Sequence, residues 1–276
     1  MNKKAMWSIA VKDMRAITSN IQIWLPMLIV PLILGVVLPS ALLITARFFD
    51  LSMVGNTDMI VNVIQDLPEG GLKESIEVLP TLNHQLIYFF MLYGFTPMFM
   101  LIPVMASSVI SANSFVGEKE RKTLESLLFA PISMKTIFVG KILSAFIPAV
   151  TITFFTSILY GIVTNIIAYP LFDQMIFPTW GWVILIIWIT PLLSLLVILF
   201  NIIISAKVKG YQEAYQLGSI IVLPIVALVV SQLTGLLFLS NIMLIIIGFV
   251  LLFMNIVFLQ FAAKWNDRFR LSEQQI

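Results

Sequence analysis

The sequence predicts an all-α membrane protein with six transmembrane helices, preceded by an N-terminal amphipathic helix in the membrane interface, with both termini cytoplasmic. Three observations carry this expectation. Hydrophobic residues make up 60% of the 276-residue chain and charged residues 11%, against roughly 45–50% and about 25% in soluble domains. A water-soluble core of this size cannot bury that excess. Five long stretches, 21–46, 86–113, 142–172, 174–206 and 214–263, hold no charged residue. Finally, fourteen of the sixteen Lys and Arg residues fall on one side of the resulting topology, the asymmetry that marks the cytoplasmic face. Residues 1–276 read as one transmembrane domain.

Residues 1–20 form the first element. Trp7, Val11, Met14 and either Ile17 or Thr18 recur near a 3.6-residue period, and Lys3, Lys4, Ser8, Lys12 and Arg15 surround them. This is the pattern of a helix lying in the interface with its basic groups near anionic headgroups. The apolar run that follows is too long for a signal-peptide core and has no small-residue cleavage site, so it is expected to be retained as a span.

Spans need about 20 apolar residues and are placed at 21–46, 86–112, 142–166, 180–206, 217–239 and 242–263. The last two share one uncharged stretch and are divided at Ser240-Asn241. Between the first and second spans, the loop 47–85 faces the extracytoplasmic side and is acidic, with Asp50, Asp58, Asp66, Glu69, Glu74 and Glu77. Met59, Ile60, Val63, Ile64 and Leu67 predict a short helix there, ended by Pro68-Glu69-Gly70-Gly71. The expected role is a small solvated cap, with substrate gating as the alternative.

Several chemistries are argued against. With no cysteine there are no disulfides and no thiolate metal sites. His84, the only histidine, cannot form a His-metal cluster within one chain and reads as an ordinary residue at the outer membrane edge. The predicted spans hold no Asp, Glu, Lys, Arg or His, the groups that ion-coupled carriers keep within the membrane at considerable cost. Pro26, Pro31, Pro97, Pro103, Pro148, Pro191 and Pro224 are expected to bend the spans that hold them.

The cytoplasmic loop 113–141 is the most distinctive segment. Residues 117–133 read GEKERKTLESLLFAPIS, and six of the nine residues from Gly117 to Glu125 are ionisable. The second span is expected to run out at Ser111-Ala112-Asn113-Ser114. Glu118, Glu120 and Glu125 then interleave with Lys119, Arg121 and Lys122, while Leu124, Leu127 and Leu128 supply an apolar face at i, i+3, i+4. Pro131 stops the run and Ser133 stands where the next helix needs a cap. Such a short helix can insert into a cleft of a soluble partner, or it can be a connector whose charges hold the loop inside. The residues alone favour neither.

This string resembles the cytoplasmic signature of the ABC type-2 exporter permeases, the membrane halves of ATP-binding-cassette transporters. The matching positions are Glu120-Arg121, Thr123-Leu124-Glu125, Leu127-Leu128 and Pro131-Ile132-Ser133. Lys122 stands where glycine is frequent in the family, and Ala130 where threonine is frequent. The N-terminal helix with Lys12-Asp13 and Arg15, the six-span plan and the tail from Ala263 to Leu271 are similar to the family as well.

The resemblance implies that Glu118, Glu120, Arg121, Thr123, Leu124, Glu125, Leu127, Leu128 and Pro131 contact a cytoplasmic ABC ATPase, assisted by Trp7, Lys12 and Arg15 of the interfacial helix. It also implies pairing with a second permease copy or a related permease. No Gly-x₄-Gly-Lys-Ser/Thr phosphate loop occurs in the chain. The expectation is therefore a non-catalytic permease subunit of an exporter in the bacterial cytoplasmic membrane, contacting membrane lipid and no nucleic acid. No cofactor is expected in this chain, with ATP and Mg on the partner ATPase. The alternatives are a non-transporting scaffold or immunity protein and an ion-coupled secondary transporter.

Overall fold

A computed structural model describes residues 2–50, 58–65, 67, 71–117, 132–205, 207–208 and 210–273. The described residues form helices and connections without strands. Helix α1 (Lys3–Thr18) begins at Asn2, whose side chain accepts from the backbone N–H groups of Lys4 and Ala5, a standard N-cap. Six helices are long and apolar enough to cross a membrane among the described residues: α2 (Trp24–Phe48), α5 (Leu82–Gly117), α6 (Met134–Phe172), α7 (Trp180–Ser205), α8 (Gln212–Leu233) and α9 (Asn241–Ala262). Two short helices, α3 (Asp58–Gln65) and α4 (Gly71–Glu77), lie between α2 and α5.

The number and order of the spans are those expected, but α5 and α6 are longer. At 1.5 Å per residue, the 36 residues of α5 and the 39 of α6 extend about 54 and 58 Å, well beyond a hydrocarbon core of about 30 Å. Helix therefore continues past the apolar stretches that defined the spans. Helix α5 does not run out at Ser111–Ser114 but continues to Gly117, and α6 begins at Met134 and takes in Lys135 and Lys141. Ser133 occupies the cap position, though its hydroxyl meets Thr136 Oγ1 at 2.8 Å instead of a backbone N–H. The helix that includes α9 continues to Glu273.

Four π-turns interrupt these helices, and three have a common cause. Pro39, Pro97 and Pro191 each follow by four residues a position inside a π-turn, namely Gly35 in Ile33–Val37, Tyr93 in Phe90–Gly94 and Ile187 in Leu185–Ile189. A proline ring clashes with the carbonyl four residues earlier, and widening the turn relieves the clash. Pro224 stands in the same relation to Ile220, inside a 3₁₀ turn at Ser219–Ile221. The fourth π-turn, Asn113–Gly117, has no such proline.

Helix α5 is the most enclosed of the six, and α8 and α9 the least. The π-turn at Phe90–Gly94 is the centre of the packing. Tyr160 Oη of α6 donates to the Met91 carbonyl, Trp182 Nε1 of α7 to that of Leu92 at 2.9 Å, and Gln232 Nε2 of α8 to that of Tyr93 at 2.6 Å. Three successive carbonyls of one helix thus accept from three others. Polar backbone that leaves the helical ladder within a membrane must find such partners. Tyr160 stacks on Trp182 with ring centroids 4.7 Å apart, and Phe99 and Phe177 meet both rings edge-on. Four small residues of α6, Ala145, Ala149, Ser157 and Gly161, are all buried within the bundle.

The predicted helix in the 47–85 loop is present as α3. Its Val63 and Ile64, together with Leu67 and Ile76, pack on Leu86 and Phe89 at the start of α5. The cap is therefore docked through an apolar core of its own and is not solvated on every side. His84 joins the ends of two spans, with Nδ1 2.6 Å from Thr81 Oγ1 and Nε2 3.2 Å from the Leu171 carbonyl.

Candidate coupling site

The residues singled out in the charged loop, Glu118, Glu120, Arg121, Thr123, Leu124, Glu125, Leu127, Leu128 and Pro131, lie outside the described residues. Both roots of the loop are described, and they converge on α1. The side of α1 that packs on the bundle is Ile9, Ala10, Asp13 and Ile17, all buried. This face adjoins the predicted stripe of Trp7, Val11, Met14 and either Ile17 or Thr18 and shares only Ile17 with it. Trp7 is 52% exposed, and Lys12 and Arg15 are exposed as well. The two stripes are adjacent because both recur at helical spacing, so periodicity alone could not choose between them.

Close packing of α1 on α6 depends on Gly140. A Cβ there would stand 2.9 Å from the Met6 carbonyl oxygen and 3.1 Å from Ile9 Cβ. One residue further, Lys141 turns inward and is only 2% exposed. Its Nζ donates to the Ser114 carbonyl and lies 3.7 Å from Asp13 Oδ2. Ser114 Oγ donates to the same carboxylate oxygen at 2.6 Å. The ammonium also sits 5.4 Å from the centre of the Phe115 ring, within cation–π range. Lys12 Nζ approaches the other carboxylate oxygen at 3.9 Å.

This network explains the π-turn that lacks a proline. Ser114 lies within Asn113–Gly117, and Lys141 takes its carbonyl while Asp13 takes its hydroxyl. A side chain inserted into a helical ladder widens it locally. The π-turn is the last described turn of α5, and Lys141 stands in the second turn of α6, on the other side of the charged loop. Asp13, Ser114 and Lys141 therefore fasten α1 to both ends of the loop. Sequence reasoning did not assign these three residues. The signals available were a single acid in an otherwise basic helix and a lysine beside a glycine at the edge of a span.

The same end of the bundle receives the other basic connection. Ala112 and Val116 of α5 pack with Ile204, Val208 and Ala214, from the two sides of the α7–α8 junction. A second polar contact lies just above. Asn201 Nδ2 of α7 donates to Ser111 Oγ at 2.8 Å, and Gly218 of α8 comes so close that a Cβ there would be 2.3 Å from Asn201 Oδ1. The basic segments near Lys12, Lys141 and Lys207 thus gather at one end, and the acidic cap occupies the other.

A family model described as "ABC-2 family transporter protein" matches residues 7–271. No curated protein and no solved structure matches the chain. The family match covers α1 from Trp7 onward, the charged loop and all six membrane helices. The chain belongs to the ABC-2 family of transporters, as a membrane-spanning permease.

Proposed function

We propose that this permease works as the membrane half of an ATP-driven exporter, moved by a separate cytoplasmic ATPase that grips residues 117–133. The single observation that carries the proposal is the Asp13–Ser114–Lys141 network, because it ties the two roots of that loop to each other and to α1. A push on the loop would then move α1, the end of α5 and the start of α6 as one unit. Two permeases, either copies of this chain or this chain with a relative, would pair with two ATPases carrying ATP and Mg. Closure of the ATPases would switch the helix bundle between inward- and outward-open states. Both termini and the loop face the cytoplasm in this reading, with the protein in a bacterial cytoplasmic membrane.

The test is co-purification of the chain with its ATPase, followed by reconstitution into vesicles. ATP-dependent solute movement away from the ATPase side is the expected result. Movement that needs a cation gradient and no ATPase would establish a secondary transporter instead. Stable association with an ATPase but no flux of any solute that stimulates it would establish a scaffold.

A further inference from the structure

Three faces of α1 can be told apart. Ile9, Ala10, Asp13 and Ile17 pack on the bundle. Trp7, Val11, Met14 and Thr18 form the next stripe, and beyond it stand the exposed Lys4 and Arg15. Where α1 turns into α2, Met14, Ile17 and Thr18 form one wall of an open groove of about 350 Å³. Trp24, Met27 and Leu28 of α2 and Pro148 and Ile152 of α6 complete it. Its lining is almost wholly apolar.

The exposed charge on the α1 side of this groove has one sign. Asp13 is the only acidic side chain in α1, and it is buried against Ser114 and Lys141. Lys3, Lys4, Lys12 and Arg15 are exposed. At 100° per residue, Arg15 lies next to Thr18 on the helix surface, on the side away from the bundle. An apolar slot therefore opens beside a guanidinium on a helix whose exposed charge is entirely positive.

We propose that this groove holds one acyl chain of an anionic phospholipid, with the headgroup phosphate on the Arg15 guanidinium. The occupant follows from complementarity: the slot requires a hydrocarbon chain and the rim requires a negative group, and an anionic lipid carries both. Arg is suited to phosphate because its planar fork offers paired donors. The bound lipid would wedge the junction between α1 and α2 and hold Met6 and Ile9 of α1 against Gly140 of α6. The inference rests on the reading of α1 as an interfacial helix, but not on the direction of transport or on any ATPase.

The experiment uses the full chain in nanodiscs of equal phosphatidylglycerol and phosphatidylcholine, with lipids retained on extraction counted by native mass spectrometry. Wild type should retain phosphatidylglycerol in preference by about fivefold, the effect of one basic residue at a membrane surface. Arg15→Ala should remove the preference and Arg15→Lys should keep most of it. Thr18→Phe, at an exposed position on the groove wall, should abolish retention of either lipid while leaving the protein folded. Soluble glycerol phosphate should not compete. An unchanged preference in Arg15→Ala, full retention in Thr18→Phe, or displacement by glycerol phosphate would each overturn the assignment. Because no ATPase is present, these outcomes are separate from the test of export.

Discussion

Asp13 Oδ2 lies 3.7 Å from Lys141 Nζ, and both side chains are almost fully enclosed. One belongs to α1 and the other to α6, and Ser114 of α5 bonds to each of them. A buried ion pair is poor evidence for stability, since removal of both charges is often neutral, whereas removal of one leaves the other uncompensated. Its value here is positional, because the pair fixes where three elements meet at the base of the charged loop.

That asymmetry gives the first prediction. Asp13→Asn and Lys141→Met should each destabilise the folded protein by about 3–5 kcal/mol. The double variant should be markedly more stable than the sum of the two implies. Unfolding in detergent, followed in a double-mutant cycle, measures this. Simple additivity would mean that the two side chains do not interact.

A glycine supplies the second. At Gly218 an added methyl group would lie 2.3 Å from Asn201 Oδ1 and 3.0 Å from Ser108 Oγ, while at Gly210 it would meet nothing within 4 Å. Gly218→Ala should therefore cost about 1–3 kcal/mol through overpacking, and Gly210→Ala should be close to neutral. Thermal unfolding of the two variants side by side makes the comparison. Equal melting temperatures would show that α8 does not approach α7 this closely.

How much of this was legible in the sequence depends on the range over which each feature is decided. The membrane helices are local, since a run such as 180–206 carries its own apolar signal, and α7 ends at Ser205. The cap helix is local too, because Ile60, Val63, Ile64 and Leu67 repeat at helical spacing. On either side of the charged loop, the end of α5 was placed too early and the start of α6 too late, because hydropathy falls where helix does not. Ser114 and Lys141 read as loop residues until Asp13, remote in sequence, accepts from the hydroxyl of one and pairs with the ammonium of the other. The π-turns were half legible: Pro97 and Pro191 announced two of them, Pro39 was passed over, and the one at Asn113–Gly117 depends on a lysine from another helix. The donors to Met91, Leu92 and Tyr93 come from three separate helices, and no pattern within α5 predicts them.

The hub at that π-turn leads to the third prediction. Gln232 is the side chain of α8 that bonds to the Tyr93 carbonyl, and α8 is among the least buried spans. Gln232→Leu keeps the bulk and removes the donor. Hydrogen bonds between membrane helices are worth about 0.6 kcal/mol on average and up to about 1.7 kcal/mol, so the fold should survive. Amide exchange should rise around Ser231–Thr234 and at Tyr93, with little change at Tyr160. Uniform exchange across the bundle would mean that Gln232 supports the whole fold and not this one contact.

A cross-link tests the packing of the first span on the third. The chain has no cysteine, so an introduced pair holds the only thiols. A Cβ built at Gly35 lies 3.8 Å from Thr156 Cβ, inside the range of disulfides at about 3.5–4.5 Å. Gly35→Cys with Thr156→Cys should oxidise readily and shift mobility on a non-reducing gel, while either single variant should not. Failure of the pair to close would place α2 elsewhere on α6.

The last prediction concerns the loop and its two roots together. Glu120→Ala, Arg121→Ala and Leu124→Asp alter side chains that the family resemblance assigns to the ATPase contact, and all three lie outside the apolar stretches read as spans. Each should leave the protein in the membrane at wild-type levels, yet abolish the stimulation of ATP hydrolysis by transported solute. The conservative Lys141→Arg variant separates contact from transmission. It keeps the charge beside Asp13 but changes the reach and shape of the group that holds the Ser114 carbonyl. ATPase association should then persist while flux falls, because the motor would still grip the loop but its push would no longer reach α1 and α5 together. Normal ATP-dependent flux in all four variants would remove the loop, and the network behind it, from the transport cycle.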